Sequence, residues 1–176
     1  MYADQYQEAA LRTKSPISRP DLISREDFRV LLIDAITNGR TARSYKKALT
    51  GAFPYRQPGV AEDLSTTGLS TDLLHAVLGI INEAGELAEA IFNVIHRDGT
   101  QRPLDPVNLI EEGGDLQWFL TLLAHSQGVT LADLQARNIA KLKARYPDRF
   151  DASQLSDENR NKAAELTALS RNPPAQ

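Results

Sequence analysis

Residues 71–96 read TDLLHAVLGIINEAGELAEAIFNVIH. Leu73, Val77, Ile80, Ala84, Leu87, Ile91 and Ile95 recur in this stretch at i, i+3, i+4 spacing. That rhythm predicts a long amphipathic helix reaching about residue 96, with an apolar stripe to bury. Downstream, Asp98-Gly99 and Pro103 mark a loop, and a second long helix is expected from about Pro106 to His125, ending near Gly128. Thr130 with Asp133 is a capping-box pattern that opens a third helix, and Pro147 follows its last turn. A final helix is expected at about 157–169, with Asp157 and Glu158 near its positive end, before a frayed tail at 172–176.

Upstream, residues 4–13 read as a short helix that Ser15-Pro16 and Arg19-Pro20 interrupt. Ser24 followed by Asp27 is a capping signal, and Phe28, Leu31, Leu32, Ala35 and Ile36 predict a helix over about 24–37. Asn38-Gly39 is read as its stop, with a further helix at 41–50 and a Pro/Gly-rich loop, FPYRQPGV, at 53–60. No segment alternates as a strand does, and there is no internal repeat. The expected fold class is all-α.

At 176 residues the chain suits one domain with extensions. Hydrophobic residues at 41% and charged residues at 24% match a soluble globular chain. A formal charge of −3 gives no net basic field for gripping a nucleic-acid duplex. The absence of cysteine removes disulfides, thiolate metal sites and thiol nucleophiles, and fits a reducing compartment. The opening MYADQYQEAALRTKS lacks a basic start followed by an apolar run, and no stretch of about 18 apolar residues occurs. The expectation is a cytoplasmic protein with no membrane partner.

Two acid pairs stand out. On the helix expected at 106–125, Glu112, Asp115, Phe119 and Leu122 share one face, flanked by Leu109, Leu116, Leu120 and Leu123. Two carboxyl groups therefore enter a sector that the helix should bury, and a bare buried carboxylate costs several kcal/mol. On the helix at 71–96, Glu83 and Glu86 share an edge beside Ile80, Ala84, Leu87 and Ile91. Either pair alone is equally well read as solvated surface acids. Packed side by side, the helices would bring four carboxylates together, and their mutual repulsion calls for cations. Oxygen-only ligation suits Mg²⁺ or Mn²⁺. Glu89 and Glu111 point aside. Gly85 lies within the first pair and Gly113-Gly114 within the second, which suggests close approach of a helix or ligand, or else a local kink. On the next helix Asn138, Lys141 and Arg145 form a polar row on the side of Leu131, Leu134 and Leu142, a position that phosphate oxygens would satisfy, although a long arginine can also snorkel to water.

The stretches NEAGELAEAI at 82–91, IEEGGDLQWFL at 110–120 and NIAKLKARYPDRF at 138–150, with YQEAALRT at 6–13, resemble the MazG-like branch of the all-α nucleoside triphosphate pyrophosphohydrolases. The family's Glu-x-x-Glu and Glu-x-x-Asp signatures fall on Glu83, Glu86, Glu112 and Asp115. The resemblance implies that these four acids hold Mg²⁺, that Asn138, Lys141 and Arg145 contact phosphates, and that a triphosphate is cleaved to a monophosphate and pyrophosphate. It also implies a homodimer or homotetramer. On this view residues 1–13 supply the first helix, 68–150 the catalytic core and 151–176 a C-terminal helix and tail. Residues 14–67 are longer than the family pattern expects and read as an insertion. Within that segment Arg40, Arg43, Lys46 and Lys47 read more simply as a solvated helix face than as a site. Trp118 and His75 are candidates for base stacking, although packing at a helix contact accounts for them more simply. A di-iron bundle is disfavoured because His75, His96 and His125 lack the Glu-x-x-His spacing. A phosphoribosyl-ATP pyrophosphohydrolase and a catalytically silent helical module remain as alternatives.

Overall fold

The computed structural model describes residues 3–15, 22–51, 67–95 and 103–170. Among these the regular elements are helices: α1 (Ala3–Leu11), α2 (Arg25–Leu49), α3 (Thr71–Val94), α4 (Pro106–Ser126), α5 (Leu131–Arg145) and α6 (Lys162–Ser170), with a 3-10 turn at Ala152–Leu155. The all-α class expected from the sequence is the class observed. The loop expected at 53–60, the Asp98-Gly99 turn, His96 and the tail at 172–176 lie outside the described residues.

The helix starts follow from local chemistry. Ser24, Ser70 and Thr130 each accept a hydrogen bond from the backbone N–H three residues on, satisfying a donor that has no partner inside the helix. At Thr130 the Asp133 carboxylate reaches back to the cap N–H, completing the capping box. Asp105 caps α4 ahead of Pro106, and Gly128, at φ 69°, takes the left-handed conformation just past the helix end.

Two expected boundaries are corrected. Asn38-Gly39 does not stop a helix, and α2 runs unbroken from Arg25 to Leu49. The reason is tertiary: Gly39 is buried against α3, where a Cβ would meet the Gly85 Cα at 2.8 Å, and that packing offsets the helix-interior cost of glycine. The final helix begins at Lys162, so Asp157 and Glu158 precede it. The Asp157 carboxylate pairs with Arg160 at 3.0 Å and Lys162 at 2.9 Å, and the Asn161 side chain accepts from Ala164 N–H at 3.0 Å to cap the start.

The chain forms two compact units. Asp21–Gly128 contains α2, α3 and α4, with α3 packed against both others. Leu32 and Ile36 of α2 close on Ala88 of α3, with Phe28, Ala35, Ile91, Phe92 and Ile95 around them. The sequence placed Val77 and Ala84 in the buried stripe, yet both are exposed, and Ala76, Gly79, Asn82, Glu83 and Gly85 are buried instead. Small residues let neighbouring elements approach: Phe119 of α4 lies directly over Gly79, where there is no room for a Cβ.

The second unit, Met1–Pro20 with Val129–Gln176, packs α1 and α6 against α5. Arg12 donates to the backbone carbonyls of Tyr146, Pro147 and Asp148 just past the end of α5. Glu165 of α6, buried at 4% exposure, accepts from both Arg145 and Arg160, and the two guanidinium groups lower its pKa to about 2.

Candidate metal centre

Glu83 and Glu86 stand one turn apart on α3, and the packing of α4 on α3 brings Glu112 to them. One carboxylate oxygen from each lies within 4.8 Å of the others. Glu83 and Glu112 are almost wholly buried, at 3% and 6% exposure, so a cluster of like charges sits where each should be expensive. Asp115, one turn further along α4, is exposed and stands outside this trio.

The charge is met from α2. Lys46 Nζ lies 2.8 Å from Glu83 Oε1, Arg43 Nη1 3.1 Å from Glu86 Oε1, and Arg40 Nη2 2.9 Å from Glu89 Oε1. Each step of three residues forward on α2 is a step of three back on α3, the register of two antiparallel helices joined by a ladder of ion pairs. The solvated face that the sequence suggested for these cations is corrected for Lys46, whose side chain is only 18% exposed and whose ammonium also sits 4.7 Å from the Phe119 ring centroid. Arg40 and Arg43 keep most of their surface in water while pairing with α3.

Two cations against three carboxylates leave one negative charge over, and it falls on Glu112. Burial is the main cause raising its pKa to about 7, followed by a hydrogen bond shared with Glu86 and the charges of Glu86 and Glu83. Asn108, donating to Glu112 Oε1 at 2.9 Å, pulls the other way. Asn82 is 3% exposed and donates weakly to Glu86 Oε1 at 3.4 Å, while its own Oδ1 is buried without a partner among the described residues.

This donor set fits a hard divalent cation. It offers carboxylate oxygens only, plus an unpartnered buried amide oxygen beside them, and opposite oxygens around Mg²⁺ stand about 4.2 Å apart, close to the spread found here. A cation there would remove the repulsion that holds the Glu112 proton.

Asn138, Lys141 and Arg145 lie on α5 in the other unit. Asn138 Nδ2 donates to the Tyr6 hydroxyl at 3.1 Å, Arg145 is held by Glu165 through Nε at 3.1 Å and Nη2 at 2.7 Å, and Lys141 is half-buried. His75, Trp118 and Phe119 form a mutual edge-to-face cluster with centroids 4.8–5.8 Å apart, which accounts for His75 and Trp118 as packing between α3 and α4. Sequence reasoning missed Asn82, Asn108 and the α2 cations as parts of this centre. A signal was present: Arg40, Arg43 and Lys46 repeat the three-residue spacing of Glu83, Glu86 and Glu89 with opposite sign.

Residues 72–150 match the profile of the MazG nucleotide pyrophosphohydrolase domain. The chain is also similar to the Gene 37 protein of Mycobacterium phage L5, with 32% identity over 89 residues that cover 50% of this chain and 75% of that protein. No solved structure matches the chain significantly. Among the described residues no helix is long and apolar enough to cross a membrane. The matched stretch holds α3, α4 and α5, and α2 lies outside it.

Proposed function

Since the chain belongs to the MazG nucleotide pyrophosphohydrolase family, we propose that it hydrolyses (deoxy)nucleoside triphosphates to a monophosphate and pyrophosphate with the help of Mg²⁺, for which Mn²⁺ can substitute. The observation that carries this reading is the convergence of Glu83, Glu86 and Glu112 in one cluster, with Glu83 and Glu112 buried and, among the described residues, only two cations, Lys46 and Arg43, paired with it. Glu83, Glu86 and Glu112 hold the metal, with Asp115 joining them from the next turn of α4. When bound, the metal acidifies a water and neutralises charge on the phosphates.

The chain's own groups do the rest. Lys46 pairs with Glu83 at 2.8 Å and fixes the direction of its carboxyl group. Asn108 holds one oxygen of Glu112 and so fixes the direction of that carboxyl group. One carboxylate of the cluster takes the proton of the attacking water as the new phosphorus–oxygen bond forms and the triphosphate divides into monophosphate and pyrophosphate. Asn138, Lys141 and Arg145 supply phosphate contacts from α5, for which Arg145 exchanges its Glu165 partner for the substrate. The active form is a homodimer or homotetramer, as the resemblance implies.

The test is pyrophosphate release by the purified protein with Mg²⁺ or Mn²⁺ against ribo- and deoxyribonucleoside triphosphates, modified bases and phosphoribosyl-ATP. Turnover of the triphosphates, lost in Glu86→Ala and Asp115→Ala, is the expected result. Turnover of phosphoribosyl-ATP alone would move the enzyme to that substrate, and inactivity on the whole panel would leave a silent helical module.

A further inference from the structure

The acid cluster needs partners for the phosphates as well as for the metal. Among the described residues of the unit that carries the acids, the lysines and arginines lie on α2, which the family profile does not cover. The three rungs of the ladder differ in their surroundings. Lys46–Glu83 is closed off, with side chains 18% and 5% exposed, and Arg40–Glu89 is open, at 70% and 42%. Arg43–Glu86 lies between them, with the guanidinium 56% exposed and its partner part of the acid trio.

Arg43 also lines a cleft of about 310 Å³ together with Glu86, Glu89, Asn93, Asn108 and Glu112. Among the described residues it is the basic side chain of that lining. A guanidinium has five N–H donors in a planar fork, and one of Arg43's is spent on Glu86 Oε1, an oxygen that Asn82 also approaches. Donors remain for an anion entering the cleft.

We propose that Arg43 is a phosphate-binding residue of this site, held by Glu86 at the cleft wall until a phosphate chain takes up its guanidinium. The inference rests on the reading of the acid cluster given above. The hand-over follows from electrostatics: positive charge placed on the trio weakens the attraction of Glu86 for Arg43, while an incoming phosphate strengthens the competing one. Binding of a divalent cation and binding of phosphate are therefore linked through one side chain, and by reciprocity each favours the other.

The experiment uses inorganic tripolyphosphate, which has no base or sugar to recognise, titrated calorimetrically in saturating Mn²⁺. Mn²⁺ binding alone is followed by electron paramagnetic resonance. The proteins are the intact chain and its Arg43→Ala, Arg43→Lys and Arg40→Ala variants. Arg43→Ala is expected to bind tripolyphosphate roughly tenfold more weakly or worse, the loss of a charged hydrogen bond, with Mn²⁺ binding retained. Arg43→Lys should recover part of the loss, since an ammonium keeps the charge without the fork. Arg40→Ala removes the same charge outside the cleft lining and should change affinity less than about twofold, as an exposed pair does. Unchanged tripolyphosphate affinity in Arg43→Ala, with Mn²⁺ still bound, would reduce Arg43 to a counter-ion and overturn the inference while leaving the metal centre standing. Equal losses in the two alanine variants would overturn it as well, as a general field effect. Failure of the unaltered chain to bind Mn²⁺ would bring down the metal centre and the inference together.

Discussion

Gly39 and Gly85 bring the backbones of α2 and α3 into contact: a Cβ built on Gly39 would stand 2.8 Å from the Gly85 Cα and 3.2 Å from the Asn82 carbonyl oxygen. Neither obstacle is a side chain that can swing away. Gly39→Ala is expected to destabilise the protein by about 1–3 kcal/mol, the usual cost of overpacking, although alanine is the better helix former by about 1 kcal/mol. Gly113 faces open space, so Gly113→Ala should stabilise by up to about 1 kcal/mol. Urea unfolding of both variants gives the comparison, and a neutral Gly39→Ala would show that the helix crossing has slack.

Glu112 sets a pH dependence. Its pKa near 7 in the folded state lies above the ordinary 4.5, so the folded protein binds the proton more tightly than the unfolded chain. The associated stability is complete below about pH 4.5 and is lost as pH rises through 7. In chelator, thermal stability should fall between pH 5 and 8 in the unaltered protein and stay flatter in Glu112→Gln. Mn²⁺ affinity should rise over the same window, because binding expels the proton. A parallel fall in both proteins would assign the slope to another group.

Lys46 is the counter-charge of a buried acid. Lys46→Met leaves Glu83 without its cation and should cost about 2–4 kcal/mol, near the lower end for breaking a buried pair because Lys46 retains some solvent. Adding Glu83→Gln to Lys46→Met should restore much of the loss. A double-mutant cycle by chemical denaturation measures the coupling, and strict additivity would argue against it.

Arg145 has a structural partner whatever its part in catalysis. Glu165→Gln is expected to lower stability by about 2–4 kcal/mol, since Arg145 and Arg160 both lose their carboxylate. The sign is opposite to that of Glu112. A pKa lowered to about 2 gives stability that is present above 4.5 and drains as pH falls towards 2, so the variant's deficit should shrink in acid. A deficit independent of pH would point to packing instead of charge.

Lys141 tests the phosphate role assigned to α5. Lys141→Ala should weaken kcat/KM by roughly 2–4 kcal/mol in transition-state terms and change folding by about half a kcal/mol or less. Arginine should rescue only in part. An unchanged kcat/KM, or an unfolded variant, would take Lys141 out of the substrate site.

Much of the fold was legible because helix periodicity and capping are local. Ser24 and Thr130, read as capping residues, start their helices through contacts three residues away. The stop misread at Asn38-Gly39 shows where local reasoning runs out: the compensation for Gly39 lies on Gly85, 46 positions further along the chain. The buried stripe of α3 was displaced for a related reason. Composition favours burying Val77, whereas close packing favours Ala76 and Gly79, which leave room for Phe119.

The sequence by itself determined the all-α class, the capped helix starts and the three-residue spacing that puts Glu83 with Glu86 and Glu112 with Asp115 on shared faces, since each depends on the pitch of one helix. Only the tertiary structure decided that Glu112 joins Glu83 and Glu86 within 4.8 Å while Asp115 stays exposed, and that α2 supplies the opposing charge. The physical reason is the distance along the chain. Arg43 meets Glu86, and Lys46 meets Glu83, through the crossing of two helices at paired glycines, and no periodicity within either helix encodes the angle or register of that crossing.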